Sequence, residues 1–229
     1  MNYRNVTEGI FVERPNRFIA IVEIDGTPEV CHVKNTGRCR ELLIKGAEVY
    51  LTRSDRSDRK TKYDLIAVKK GDRLINIDSQ APNAAVKEWL PKLFPDGVQF
   101  SSEVTFGSSR FDFYVEAPTK RAFLEVKGVT LEEDGIVRFP DAPTERGIKH
   151  VEELAECVRQ GYEAYILFVI QMSNVRYFTP NDDTHKAFGD ALRRASAAGV
   201  KILARECFVE TDGMTIGGPV EVRLNEEKE

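Results

Sequence analysis

No apolar run in the 229-residue chain approaches the roughly 20 residues of a transmembrane helix, so a helical membrane span is excluded on length. The opening MNYRNVTEGIFVERPNR lacks the apolar core of a signal peptide, which sets the expectation of a cytoplasmic protein. Cysteine is sparse. Cys31, Cys39, Cys157 and Cys207 are scattered with no C-x-x-C pair, a pattern that argues against zinc and against a disulfide scaffold. Of three histidines, His32 and His185 have no partner at metal-ligand spacing. There is no repeat, low-complexity tract, P-loop, dinucleotide fingerprint or G-x-S-x-G nucleophile motif.

What is present is ordinary globular material: 41% hydrophobic and 31% charged residues. The net charge of −4 is uneven. Residues 1–80 carry 15 Lys and Arg against 12 Asp and Glu, whereas residues 206–229 carry 2 against 7. Arg53, Arg56, Arg59, Lys60 and Lys62 cluster within ten residues, interrupted by Asp55 and Asp58. Such a loop attracts phosphate backbones through counterion release, and it reads equally as a solvated loop of mixed charge. Arg14 and Arg17, flanking Pro15–Asn16, are further phosphate candidates, as are Arg38 and Arg40.

The first 80 residues read as strands. Phe18–Ile24, Val30–Val33, Glu48–Thr52, Tyr63–Val68 and Leu74–Ile77 are rich in β-branched and aromatic residues and are separated by turn signals. Five short strands with one helical turn near Arg40–Ile44 suit a small barrel. A helix capped by Asn83 is expected to run to Phe94, with a kink or early end at Pro91. Pro143–Thr144 announces another helix start, with Arg146, Lys149, His150 and Glu153 along one face. Tyr165–Ile170 reads as a buried strand, followed by a helix over His185–Ala198 and a strand at Val200–Ala204.

The chemistry concentrates in RFDFYVEAPTKRAFLEVK, residues 110–127. A hairpin about Pro118–Thr119 places Asp112 opposite Glu125 and Phe113 opposite Leu124, and a turn at Gly107–Ser108 places Glu103 opposite Asp112. Strand alternation then gives a row of Glu103, Asp112 and Glu125 above a floor of Val104, Phe106, Phe111, Phe113, Leu124 and Val126. Opposed carboxylates repel unless a cation or proton joins them, so the row suits a hard divalent cation, Mg2+ or Mn2+. Lys127 completes an acid-x-lysine triplet, which would serve at a phosphate. Glu88 on the preceding helix is a lesser candidate ligand, and Arg146 and Lys149 are candidate phosphate contacts. Phe123, beside the carboxylates on an expected exposed face, fits neither a metal site nor a solvated surface.

GSSRFDFYV…FLEVKGVTL, FPDAPTERGIKHVEELAECVRQGYEAYILFVIQ, NRFIAIVEIDG and HVKNTGRCRELL together resemble the sugar fermentation stimulation protein A (SfsA) family, from about Phe11 to Ala204. The resemblance implies an α/β architecture in two parts. Residues 1–80 would form an oligonucleotide-binding (OB) barrel, and residues 81–229 a restriction-endonuclease-like mixed sheet flanked by helices. Asp112, Glu125 and Lys127 match the Pro-Asp…Asp/Glu-x-Lys nuclease signature, with Phe111–Asp112 in place of Pro-Asp. It also implies DNA binding without strong sequence preference and a regulatory part in sugar (maltose) metabolism. Two readings follow: a metal-dependent deoxyribonuclease, or a non-catalytic DNA-binding regulator that keeps the acidic site.

Overall fold

The computed structural model describes residues 1–35, 37–55, 58–94, 98–118 and 120–225. Six strands open the chain: β1 (Val6–Asn16), β2 (Ile19–Ile24), β3 (Thr27–Val33), β4 (Glu48–Arg53), β5 (Tyr63–Lys70) and β6 (Arg73–Asn76). β1 pairs with β2 and β4, and β3 closes the circle by pairing in parallel with β5. The result is a closed OB-like barrel, with β6 added on β5. β1 is the strand that sequence pattern does not announce, because only Gly9 and Phe11 along it are buried. Its conformation comes from pairing on both edges. A Cβ on Gly9 would lie 2.5 Å from Val22 Cγ1, so glycine alone permits this approach of β1 to β2.

α1 (Ala81–Leu93) begins two residues before the expected cap, with Pro82 in its first turn, where a missing N–H costs no helical bond. Pro91 stands on the exposed side, and the helix ends two residues later. The second sheet contains β7 (Gln99–Phe106), β8 (Ser109–Ala117), β9 (Lys120–Val129), β12 (Glu163–Ile170), β14 (Lys201–Glu210) and β15 (Gly213–Pro219). Its order is β15-β14-β12-β9-β8-β7, with β12 parallel to both neighbours and the outer pairs antiparallel. A small sheet of β10 (Leu131–Glu133), β11 (Ile136–Phe139), β13 (Tyr177–Pro180) and β16 (Glu221–Val222) lies beside it. α2 (Glu145–Arg159) starts at Thr144, whose hydroxyl accepts from Gly147 N, and α3 (Asp182–Ala197) packs on α2. No helix among the described residues is long and apolar enough to cross a membrane.

Both faces of the large sheet are buried. Phe113, Leu124, Val126, Leu167 and Val169 pack with Ala85, Val86 and Leu90 of α1. Phe111, Phe123, Ile166 and Phe168 share the opposite core with Val151 and Leu154 of α2. The expected pairings Val104–Phe111 and Phe113–Leu124 are present, but the expected Glu103–Asp112 and Asp112–Glu125 are not ladder pairs. Face alternation between them is not regular, however. The ladder breaks at Glu103, whose φ of +55° lies in the left-handed region. Both strands turn over at this point, and Val104, Phe106 and Phe111 join the α2 side while Phe100 and Phe113 remain under α1. The single apolar floor expected from alternation is therefore split between two faces. Phe123 is also resolved: it is buried among Phe106, Phe111, Tyr114 and Tyr162, with ring centroids 5.0–5.5 Å away.

Barrel and mixed sheet meet along a polar seam. Gln171, just after β12, donates from Nε2 to Asn76 Oδ1 (2.9 Å) and to the Asp78 carbonyl (3.1 Å). Its own carbonyl accepts from Asn76 N at 3.0 Å. Glu132 of β10 is held by Lys70 (2.9 Å) and Arg73 (2.8 Å) of the barrel. Arg38 N donates to Asp141 Oδ2 at 3.0 Å.

Candidate active site

Asp112 sits where β8 turns over. The β8–β9 ladder ends at Phe113–Leu124, and beyond it the Asp112 side chain replaces a backbone acceptor: Oδ2 receives Val126 N at 2.8 Å. Oδ1 receives Asn83 Nδ2 from α1 at 2.7 Å. Burial, then the charge of Glu125, hold the Asp112 carboxyl above the ordinary carboxylate value against those hydrogen bonds.

Glu125 is 3% exposed. Its Oε1 takes Lys127 Nζ and His150 Nδ1, each at 2.5 Å, whereas Oε2 is buried with no hydrogen-bond partner. Burial pushes this carboxyl up, but the His150 hydrogen bond and the Lys127 charge outweigh it and hold it below the ordinary value. His150 is itself buried, its ring edge against Phe111 at 6.0 Å, and Arg146 Nε donates to its Nε2 at 3.4 Å. An ionised carboxylate only accepts and a guanidinium only donates, so the neutral Nδ1–H imidazole satisfies both neighbours. Asp112, Glu125 and Lys127 are thus brought together with Asn83 and His150.

Glu103 is not. Its left-handed backbone rolls the side chain outward, where it is 69% exposed and pairs with Arg110 at 3.6 Å. Glu88 is also elsewhere, bonded to the Met1 amino group at 2.7 Å. Among the described residues no group of three or more His, Cys, Asp or Glu could hold a metal, so the three-carboxylate row is not formed. Asp112 and Glu125 remain as a two-carboxylate set.

The basic candidates divide in the same way. Arg14 is spent on structure, its guanidinium donating to the carbonyls of Arg17, Asn35, Gly37 and Arg38 at 2.7–2.9 Å. Arg59 is locked to Asp64 at 2.5 and 3.0 Å. Lys149 ties α2 to the Ser108 carbonyl at 3.0 Å, and Arg146 holds His150. Arg17, Arg53 and Lys60 are exposed, and Arg56 lies outside the described residues.

Residues 12–77 match the profile of the SfsA N-terminal OB domain, and residues 80–213 match that of the sugar fermentation stimulation protein RE domain. The chain belongs to the SfsA family. An SfsA relative, the sugar fermentation stimulation protein homolog of Desulfitobacterium hafniense (strain DSM 10664 / DCB-2), is 59% identical over 227 residues, covering 99% of this chain and 100% of the relative. The homolog of Clostridium beijerinckii is 56% identical, covering 98% of this chain and 100% of the relative. The solved structure of Pyrococcus furiosus SfsA in complex with Ca2+ has 30% sequence identity and a TM-score of 0.86, covering 97% of this chain and 98% of that one.

Two members of this candidate site, His150 and Asn83, are read from the sequence only as part of the Arg146–Lys149 helix face and as a helix cap, not as partners of the carboxylates. His150 has a local signal: it shares the α2 face with Arg146 and neighbours buried Val151, and a buried imidazole needs partners. Asn83 has none. It reads locally as a cap, and only the packing of α1 over β8 and β9 aims its amide at Asp112.

Proposed function

We propose that this SfsA-family chain binds DNA with little sequence preference and hydrolyses phosphodiester bonds with a divalent cation, Mg2+ or Mn2+, at Asp112 and Glu125. The observation that carries this reading is Glu125 Oε2, a buried carboxylate oxygen without a donor beside a second carboxylate. Leaving such an oxygen dry and unpaired is costly, and a hard oxygen-seeking cation removes the cost. Two protein carboxylates are enough for Mg2+, which characteristically keeps several waters and takes further ligands from substrate phosphates. The Ca2+ complex of Pyrococcus furiosus SfsA, at 30% identity over nearly the whole chain, supports a hard-cation site in this fold.

When bound, the cation supplies Lewis acidity toward the phosphodiester. The chain's own groups do the remainder. His150 fixes one oxygen of Glu125 and leaves the other free. Asn83 and Val126 N fix the Asp112 carboxylate. The Lys127 ammonium, 16% exposed, faces outward enough to neutralise charge developing on the phosphate. Exposed Arg17, Arg53 and Lys60 on the barrel give a contact to phosphates that is indifferent to sequence. The test is incubation of single-stranded, nicked and branched DNA with Mn2+ or with chelator, comparing wild type with Asp112→Ala. Metal-dependent cleavage lost in the variant supports the reading, and equal cleavage by both proteins refutes it.

A second reading keeps DNA binding and drops hydrolysis, making the protein a regulator of sugar metabolism. It is favoured by the small carboxylate set and by the names of the relatives. Metal binding without cleavage of any tested DNA would select it.

A further inference from the structure

Every hairpin turn has a chemistry that folding prefers. Asp25–Gly26, Gly71–Asp72, Gly107–Ser108 and Asp134–Gly135 supply it here, each with a glycine at positive φ. The β1–β2 turn departs from that pattern, as does Thr211–Asp212 between β14 and β15, but the β1–β2 turn also displays a large aromatic. Asn16 pairs with Ile19, so the two turn residues are Arg17 and Phe18. Phe18 is 49% exposed, and the Arg17 guanidinium lies 5.8 Å from its ring centroid. A large aromatic displayed at a turn apex contributes little to the core, and a local rule broken without structural gain marks function.

Arg17 also lines an open cleft of about 500 Å³, together with Arg38, Arg40, Leu43 and Ala142. The Arg17, Arg38 and Arg40 side chains are exposed, and none has a carboxylate partner among the described residues. The loop that presents Arg38 is fixed from two sides. Arg14 grips its carbonyls, Asn35 Oδ1 accepts Gly37 N at 2.7 Å, and Asp141 Oδ2 accepts Arg38 N. A Cβ at Gly37 would lie 2.4 Å from Asp141 Oδ2, so a larger residue there would displace the carboxylate that holds Arg38 N. The cleft is therefore built jointly by barrel and mixed sheet. Ala142 on its wall leads directly into α2, which carries Arg146 and His150.

We propose that this cleft holds the backbone of a single-stranded segment of nucleic acid, its phosphates on Arg17, Arg38 and Arg40, while one unpaired base stacks on Phe18. That ring stands beside Arg17, outside the cleft lining. The inference rests on the nucleic-acid reading above but not on the acid site. Three exposed guanidiniums with no ion-pair partner among the described residues attract any phosphate backbone, and the nearby Asp141 carboxylate is engaged by Arg38 N. The exposed ring distinguishes the strand, because bases inside a duplex stay stacked on each other and offer it no free face.

The test is fluorescence anisotropy in chelator, so that cleavage plays no part. Probes are an oligothymidylate of about twelve nucleotides, an abasic strand of the same length, oligouridylate, and a duplex. Oligothymidylate should bind about tenfold more tightly than the abasic strand, the advantage expected of one stacked base. Phe18→Ala should erase that advantage and leave abasic affinity unchanged, whereas Phe18→Trp should keep it. Arg38→Ala with Arg40→Ala should weaken all strands alike and lower the salt slope by about one per lost phosphate contact. Oligouridylate matching oligothymidylate supports the stacking site and makes it indifferent to the sugar. Duplex binding equal to that of the single strand and unaffected by Phe18→Ala overturns this inference while leaving DNA binding intact. Failure of every probe to bind overturns both.

Discussion

His150 Nδ1 and Glu125 Oε1 stand 2.5 Å apart, both buried, one on α2 and the other on β9. This contact joins the helix to the sheet at the acid site and decides which Glu125 oxygen is free. His150→Ala should lower unfolding free energy by about 1.5–3 kcal/mol, the range for a hydrogen bond to a charged group. Urea denaturation measures it, and the loss should shrink in a Glu125→Gln background. An unchanged urea midpoint would mean that the contact is incidental.

Mg2+ or Mn2+ should raise the melting temperature of the wild type. At a hundredfold excess over the dissociation constant the linkage is worth about 2.7 kcal/mol. Asp112→Ala and Glu125→Ala should abolish the shift. Glu103→Ala should retain it in full, because Glu103 is turned away from the other two carboxylates. Loss of the shift in Glu103→Ala would restore the three-carboxylate row.

Lys127→Ala should keep the metal-dependent melting shift and lose cleavage, since its proposed role lies at the phosphate. Calorimetry and a nicking assay on the same preparation separate the two. Cleavage at the wild-type rate would remove Lys127 from the chemistry.

Glu132, 6% exposed between Lys70 and Arg73, supplies a pH test away from the acid site. Burial opposes its charge, but hydrogen bonds from Lys70, the Gly135 N–H and Arg73 hold its pKa at about 2. A depressed carboxylate stabilises the fold fully above its ordinary value of 4.5 and loses that contribution as pH falls toward about 2. Glu132→Gln should therefore cost up to about 3 kcal/mol at pH 7. The gap between variant and wild type should close as acid is added below the ordinary carboxylate range. A gap independent of pH would assign the cost to packing.

The arginines of the barrel should separate by role. Arg14→Ala should cost about 3 kcal/mol of stability, because four backbone carbonyls lose a charged donor. Arg53→Glu with Lys60→Glu should leave melting unchanged and weaken DNA binding for all sequences alike. A titration series in salt distinguishes them, and reversed outcomes would exchange the two assignments.

Much of the site was legible in the sequence because turns fix register. Gly107–Ser108 and Pro118 set the pairings Val104–Phe111 and Phe113–Leu124, which are observed, whereas the carboxylate pairings Glu103–Asp112 and Asp112–Glu125 from the same register are not. Faces were not legible. Alternation presumes an unbroken ladder, and nothing local to Glu103 signals a left-handed residue that turns both strands over. Phe123 misled for a related reason: with α1 and α2 covering opposite faces, neither side of β9 is the wet one. β1 escaped notice because paired edges rather than apolar residues hold it.

Gln171 limits how the protein can be cut or recombined. A break between Asp78 and Ala81 would strand its amide and carbonyl and leave the end of β6 without its distant backbone partner. Two segments that look like interchangeable modules are therefore co-dependent at their boundary. A chimera that borrows the barrel from a relative should fold well only when the residues facing positions 76 and 171 travel with it.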